Sequence, residues 1–286
     1  MMITAISVFI LFIAVQFICG AATLLFSNID KLGSGLPLNQ LSIQPVTLGI
    51  TMLIGEGLLA FGLWWWFNKV EKPVRLRSAA NPELGSIFKF KPVKRELVAR
   101  HISRQHMVYG IVATLLLAIG VSGIVEHFGF SDDGTTNMFL QMKGNPLCWL
   151  LMCIVGPVAE ELTFRVGILR SLYRLKVAGW LSAFITALLF GLVHGNLAQG
   201  SAALIIGFAL GLMYLRTGDL RLCLPAHIIN NTLAMLLACL PNVPGAGMCL
   251  SIISILAGAL LLAYSLRPYS AETVTTTHPN TTNQEQ

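Results

Sequence analysis

Long apolar runs dominate this chain and restrict the folds that it can adopt. A helix needs about 20 predominantly apolar residues to cross a bilayer, and eight runs of about that length occur along the 286 residues. The sequence therefore predicts an all-α, polytopic membrane protein with about eight transmembrane helices around a polar intramembrane cavity. The runs fall near 3–26, 46–67, 107–126, 147–174, 179–197, 201–216, 223–240 and 247–266.

The composition supports a membrane protein and argues against a nucleic-acid-binding one. Hydrophobic residues make up 55% of the chain and charged residues only 11%, whereas soluble domains carry roughly 25% charged residues. The net charge is +6. In a membrane protein such an excess usually reflects basic cytoplasmic loops, so we expect no nucleic-acid partner.

One basic segment predicts which side of the membrane the loops and termini lie on. Residues 69–106 contain ten Lys and Arg residues against three Glu, so this loop is expected in the cytoplasm. Residues 93–105 suit either an amphipathic helix lying on membrane lipids or an ordinary basic anchor of the positive-inside kind. Counting spans from this loop puts both termini in the cytoplasm, and compactness favours a bacterial or archaeal plasma membrane. The predicted divisions are 1–126 with three spans and the basic loop, a core over 145–240, a final span over 247–266 and a disordered tail over 267–286.

Two adjacent carboxylates lie inside the fourth apolar run. An ionisable side chain at bilayer depth costs at least ~2.5 kcal/mol, so Glu160 and Glu161 are candidate functional residues. Arg165 follows Glu161 by four residues and shares its helix face. Because neighbouring residues point about 100° apart around a helix, one carboxylate can face a cavity while the other pairs with Arg165. Glu56, in the second run, is a further acid without an assigned role.

Later runs carry groups suited to activating water. A shielded carboxylate can act as a general base, histidines such as His194 and His227 carry protons, and the amide of Asn231 can stabilise an oxyanion. His227 and Asn231 are four residues apart and so share a helix face. Two histidines and a glutamate could instead form a zinc site with an open water position. No serine or cysteine nucleophile is clearly placed beside these groups.

The ordered set of motifs resembles the CAAX-protease and bacteriocin-processing (CPBP, or Abi) family of intramembrane endopeptidases over about 145–240. The resemblance implies hydrolysis of a peptide bond in a peptide or membrane-protein substrate, with or without a lipid modification. It implies that Glu160 activates water, that His194 assists, that His227 and Asn231 stabilise the oxyanion, and that Glu161 and Arg165 support the site. It favours a metal-free mechanism without a cofactor, with zinc left open. The pattern E-E-x-x-x-R, F-x-x-x-H and H-x-x-x-N is met by Glu160, Glu161, Arg165, Phe190, His194, His227 and Asn231.

Two other functions remain open from the sequence: a transporter or channel that uses the intramembrane carboxylates, and a non-catalytic immunity protein. Catalysis would also require His194 and His227 to lie close together in the fold.

Straight helices would hold His194 and His227 apart by much of the ~30 Å core. We therefore expect non-ideal helices around a water-filled cavity, with breaks or tilts at Gly191, Gly195 or Pro225.

Overall fold

A computed structural model describes residues 2–29, 41–72, 96–130, 133–240 and 247–267. Its regular structure is entirely helical within these ranges, which confirms the prediction of an all-α polytopic membrane protein. We number the helices in chain order: α1 Met2–Ser27, α2 Pro45–Glu71, α3 Arg104–His127, α4 Asp133–Met142, α5 Pro146–Arg174, α6 Gly179–Leu192, α7 Leu197–Thr217, α8 Cys223–Cys239 and α9 Met248–Ser265.

The predicted eight spans become six helices of spanning length and two shorter apolar helices, α6 and α8, in the described part of the chain. Helix α6 has 14 residues, so it is about 21 Å long at 1.5 Å per residue, well short of a ~30 Å core. It ends early because Gly195 adopts φ +71° and Asn196 caps α7 by accepting a hydrogen bond from the backbone of Gln199. The turn carrying His194 therefore follows after only 14 residues of α6.

The main departure from ideal helix geometry lies in α5. Its turns are π-helical over Leu151–Val155 and Leu162–Leu169, and α-helical between them. Pro157 follows the first π-helical stretch and has no backbone N–H to donate to the preceding turn. The expected distortion thus occurs, but Pro225 does not cause it, because Pro225 lies in the first turn of α8, where proline is tolerated.

The predicted amphipathic helix over 93–105 is wrong where it can be checked. Residues 96–103 are not helical; the Arg100 N–H donates to the Thr217 carbonyl at 2.7 Å, and Glu96 pairs with Arg170 and Arg174 near the end of α5. Residues 96–103 are therefore held by contacts with α5 and with the end of α7. Residues 93–95, and all of the predicted tail except Arg267, lie outside the described residues.

Small residues bring α6 and α7 close together below the His194 turn. A Cβ on Gly191 would lie 2.8 Å from the Gly200 carbonyl oxygen, and a Cβ on Gly200 would lie 2.9 Å from the Gly191 carbonyl oxygen. Membrane helices commonly approach each other through such small residues. The Gly191–Gly200 contact therefore fixes where α6 ends and where His194 lies.

Replacing Gly191 by alanine should push α6 and α7 apart. We expect a loss of about 1–3 kcal/mol of stability, as for overpacked cores, together with reduced function through a displaced His194. The measurement is the thermal unfolding of the purified variant. Gly62→Ala is the matched control, because nothing lies within 4 Å of its added Cβ; an unchanged melting temperature for both variants would contradict the packing argument.

Candidate active site

A cavity of about 390 Å³ opens among α2, α4, α5, α7 and α8. Its volume falls within the ~300–1,000 Å³ that is usual for ligand sites. Five of the ten methionines of the chain contribute to an apolar part of its wall: Met52, Met138, Met142, Met152 and Met235. The polar side chains that line it are Gln16, Glu56, Glu160, His194, Gln199, His227, Asn230 and Asn231.

A chain of four charged or titratable groups leads from the protein interior to this cavity. The Arg165 Nε donates to Glu161 Oε2 at 3.1 Å. The other oxygen of Glu161, Oε1, lies 3.0 Å from His227 Nδ1, and His227 Nε2 lies 3.4 Å from Glu160 Oε2. Since α5 carries three of these groups and α8 the fourth, the chain also joins the two helices.

The two carboxylates have different surroundings. Glu161 and Arg165 are fully buried, whereas the Glu160 side chain retains 20% of its exposure and lines the cavity. Two guanidinium nitrogens of Arg165 have no hydrogen-bond partner among the described residues; the guanidinium carbon lies 5.6 Å from the centre of the Phe190 ring, a cation–π distance. Glu161 thus lies in the protein interior, where it pairs with Arg165, whereas Glu160 is the carboxylate that lines the cavity.

His227 is held by Glu161 in a defined orientation. A glutamate that pairs with a buried arginine is best ionised and can only accept hydrogen bonds. We therefore assign the proton of His227 to Nδ1, which donates to Glu161, so that Nε2 is directed toward Glu160. A carboxylate behind an imidazole commonly fixes the ring in this way.

His194 reaches the same cavity from the turn after α6. Its Nδ1 lies 2.7 Å from the Phe190 carbonyl oxygen; because a carbonyl only accepts, Nδ1 donates and Nε2 is left for other partners. The Phe190 ring lies between the two histidines, with its centre 4.9 Å from that of His194 and 5.8 Å from that of His227. His194 and Glu160 also line a second, adjoining cavity of about 720 Å³ beside α1.

Asn231 lines the cavity, but one of its amide hydrogens is already used. Its Nδ2 donates to the Met152 carbonyl at 3.2 Å, within the first π-helical stretch of α5, and its Oδ1 accepts from Asn230. One N–H of Asn231 stays available to a ligand. The structure therefore gathers Glu160, His194, His227 and Asn231 around one cavity, with Glu161 and Arg165 behind them.

Three lining residues were not singled out from the sequence: Gln16, Gln199 and Asn230. Gln16 is a lone polar residue within the first apolar run, a signal that the sequence offered. Asn230 is next to the motif residue Asn231. Gln199 lies in the first turn of α7, where a polar residue is common and gives no signal of a site. Gln16 Nε2 donates to Glu56 Oε1 at 3.2 Å, which brings the unassigned Glu56 into the site.

A zinc site built from these residues has little support in their geometry. Within the described ranges, no group of three or more His, Cys, Asp or Glu side chains is arranged to hold a metal ion. The two ring nitrogens of His227 already face Glu161 and Glu160, so neither is directed at a point shared with His194. No step of the chemistry below is assigned to a metal.

Comparisons with known proteins point to one family. The sequence pattern described as "Type II CAAX prenyl endopeptidase Rce1-like" matches residues 143–233. A Bacillus subtilis (strain 168) protein named "Putative membrane peptidase YdiL" is 28% identical over 126 residues. Both comparisons support the resemblance to the CPBP family over this part of the chain. The matched range includes the predicted site residues, whose individual roles remain predictions.

The CPBP relationship covers part of each protein. The alignment with the B. subtilis relative takes in 43% of this chain and 51% of the relative, so the chain matches about half the length of that relative. No solved structure matches the chain. The first three helices lie outside the range matched by the family pattern.

Proposed function

We propose that this protein is a CAAX-protease-like intramembrane endopeptidase that hydrolyses a peptide bond with water activated by Glu160. The observation that carries the proposal is the position of Glu160: it lines a cavity beside His227, Glu161 contacts the other ring nitrogen of His227, and Arg165 pairs with Glu161. A partly shielded carboxylate beside an oriented imidazole is suited to general-base catalysis. The similarity of residues 143–233 to the Rce1-like family pattern independently supports a peptidase.

The proposed reaction needs only this cavity, water and a peptide. Glu160 takes one proton from water as the water oxygen bonds to the carbonyl carbon of the substrate, and His194 Nε2 helps to hold that water. The second N–H of Asn231 stabilises the oxyanion, and His227 does so when Nε2 also carries a hydrogen to donate. Collapse of the intermediate breaks the C–N bond, and Glu160 returns its proton to the leaving nitrogen. The products are a carboxylic acid and an amine, and Glu160 is ready for another cycle.

The substrate is proposed to be a peptide or a membrane protein, with or without a lipid modification. The basic segment and both termini are proposed to lie in the cytoplasm, by the excess of positive charge in 69–106. Labelling of single cysteines introduced at each terminus, in intact and permeabilised cells, would test that orientation. Accessibility of either terminus from outside intact cells would contradict it.

The decisive experiment measures hydrolysis directly. The full chain is reconstituted in lipid vesicles with a library of membrane-inserted peptides, in water enriched in heavy oxygen. Hydrolysis places one heavy oxygen in each newly formed carboxyl group, which mass spectrometry detects, whereas a transporter, channel or immunity protein leaves the peptides intact. Intact peptides throughout, with ion or solute flux that depends on Glu160, would reject the peptidase in favour of transport.

Removing metal ions should leave peptide cleavage unchanged, because His227 already faces two glutamates and the described residues offer no metal-binding group. We expect a rate within about twofold of the untreated enzyme after chelation, against losses of 10²-fold or more for enzymes that depend on one metal ion. Elemental analysis of the purified protein accompanies the assay. One tightly bound zinc per chain, with activity lost on its removal and regained on its return, would establish the zinc alternative.

A further inference from the structure

Glu56 is a buried acid in the cavity lining that takes no part in the proposed reaction. Glu56 on α2 is only 8% exposed. Its Oε1 accepts a hydrogen bond from Gln16 on α1, but its Oε2 is buried and has no hydrogen-bond partner among the described residues. An unpaired buried polar atom is unfavourable, and Glu56 is one of the residues that line the cavity, so a ligand in the cavity is a candidate partner for Oε2.

Glu56 lies on the same cavity wall as Glu160. A Cβ on Gly156 would come within 3.1 Å of Glu56 Oε2, so the missing side chain at Gly156 makes room for this carboxyl group. Gly156 and Glu160 are four residues apart in an α-helical stretch of α5 and therefore share a face. Both cavities beside α5 have Glu56 and Glu160 in their lining.

The surroundings of the two acids favour different charge states. Two ionised carboxylates facing one apolar cavity repel each other, so one of them is better kept neutral. Glu160 lies beside His227, whereas Glu56 is bonded to a neutral amide, and no described cationic side chain forms an ion pair with it. Among the described residues, the Cys19 thiol of α1 is a further titratable group near Glu56, and His194 and His227 line the same cavity. Of Glu56 and Glu160, Glu56 is therefore the one to which we assign the proton.

A neutral Glu56 would supply a donor on a wall where donors are few. Its Oε1 accepts from Gln16, so Oε2 is the oxygen that carries the hydrogen. The Asn231 amide donates one N–H to the Met152 carbonyl, and His227 Nε2 faces Glu160. Oε2–H of Glu56 is therefore an additional hydrogen-bond donor on a residue that lines the cavity.

We propose that Glu56 is a further catalytic residue, a neutral carboxyl group whose Oε2–H binds the carbonyl oxygen of the scissile bond and stabilises the oxyanion. The proposal rests on the peptidase function proposed above. Glu56 keeps its proton throughout, so the bond changes and proton transfers already assigned to Glu160 are unaffected. A donor of this kind acts mainly in the transition state and so affects kcat more than KM.

The test compares Glu56→Leu with Glu56→Gln in the vesicle assay. Leucine removes the donor, and loss of one oxyanion donor typically lowers kcat by about 10²–10³-fold; KM should stay within about threefold. Glutamine keeps a neutral donor of the same length, so it should restore most of the kcat that leucine loses. Glu56→Met, a more flexible apolar replacement, takes the place of leucine if that variant does not accumulate in the membrane.

A matched control separates catalysis from helix packing. Thr51 on the same helix also hydrogen-bonds to α1, through Thr23 at 2.6 Å, but lies outside the cavity lining. Thr51→Val should leave kcat unchanged. An unchanged kcat in both apolar variants of Glu56, or a glutamine variant as slow as the leucine variant, would overturn the role of Glu56 while leaving the peptidase intact. Absence of cleavage by the wild type would instead reject the peptidase function and this inference with it, whereas full activity of Glu160→Gln would reject only the role of Glu160 as the base.

Discussion

Replacing Glu160 by glutamine is expected to lower the kcat for peptide hydrolysis on the order of 10³-fold or more. Glutamine preserves the size of the side chain but cannot accept the proton of the attacking water. Glu160 also keeps 20% of its exposure and has no buried guanidinium partner among the described residues, so the variant should fold. Substrate binding, measured as KM or by direct capture of the peptide, should change little because the loss concerns the transition state.

Glu126→Gln serves as the matched control for this experiment. Glu126 is an exposed glutamate at the end of α3, outside the cavity lining, and the same chemical change there should leave turnover as it is. Both variants must be compared at equal amounts of folded protein in the membrane. Turnover by Glu160→Gln equal to that of the control would remove Glu160 from the mechanism.

Arg165→Met is expected to cause the largest loss of stability, about 3–5 kcal/mol, because it leaves Glu161 as an uncompensated charge in a buried site. Arg165 and Glu161 have no exposed surface, and their 3.1 Å contact supports the bond from Glu161 to His227. The readout is the thermal unfolding of detergent-purified protein, with the amount of folded protein in the membrane as a second measure.

Two further variants define the cause of that loss. Arg221→Met breaks an exposed pair with Asp219 and should cost no more than about 1 kcal/mol. The double variant Glu161→Gln with Arg165→Met removes both charges while glutamine can still accept from His227, so it should regain part of the stability. Equal melting temperatures for Arg165→Met and Arg221→Met would show that the buried pair contributes no more than the exposed pair does.

Much of the architecture could be predicted from local patterns. Apolar runs fix the number and approximate position of the helices, since lipid demands about 20 apolar residues for a crossing, and the spacing of Glu161 and Arg165 anticipates their contact. The sequence could not indicate that α6 stops at Leu192, because its apolar run continues to 197. That end depends on a left-handed glycine and a helix cap in three dimensions.

The arrangement within the site was harder to anticipate. The oxyanion role expected for His227 stays a prediction. Its position between two glutamates is a contact between α5 and α8, which spacing within one helix cannot reveal. The π-helical turns of α5 shift the direction of its side chains, and no simple periodicity predicts them. In the sequence, Glu56 was notable only as an ionisable residue within an apolar run, where a charge costs free energy. Its place beside the cavity could not be predicted because it depends on how α2 packs against Gly156.

The methionine wall of the cavity has a consequence for selectivity. Unbranched thioether side chains adapt to many shapes, so the wall formed by Met52, Met138, Met142, Met152 and Met235 should discriminate poorly among apolar side chains. Cleavage would then be governed by how deep a peptide bond lies in the bilayer and hardly by the residue next to it. A series of substrates with different apolar residues at one fixed depth should give a flat profile of rates, and a sharp preference for one residue would refute this.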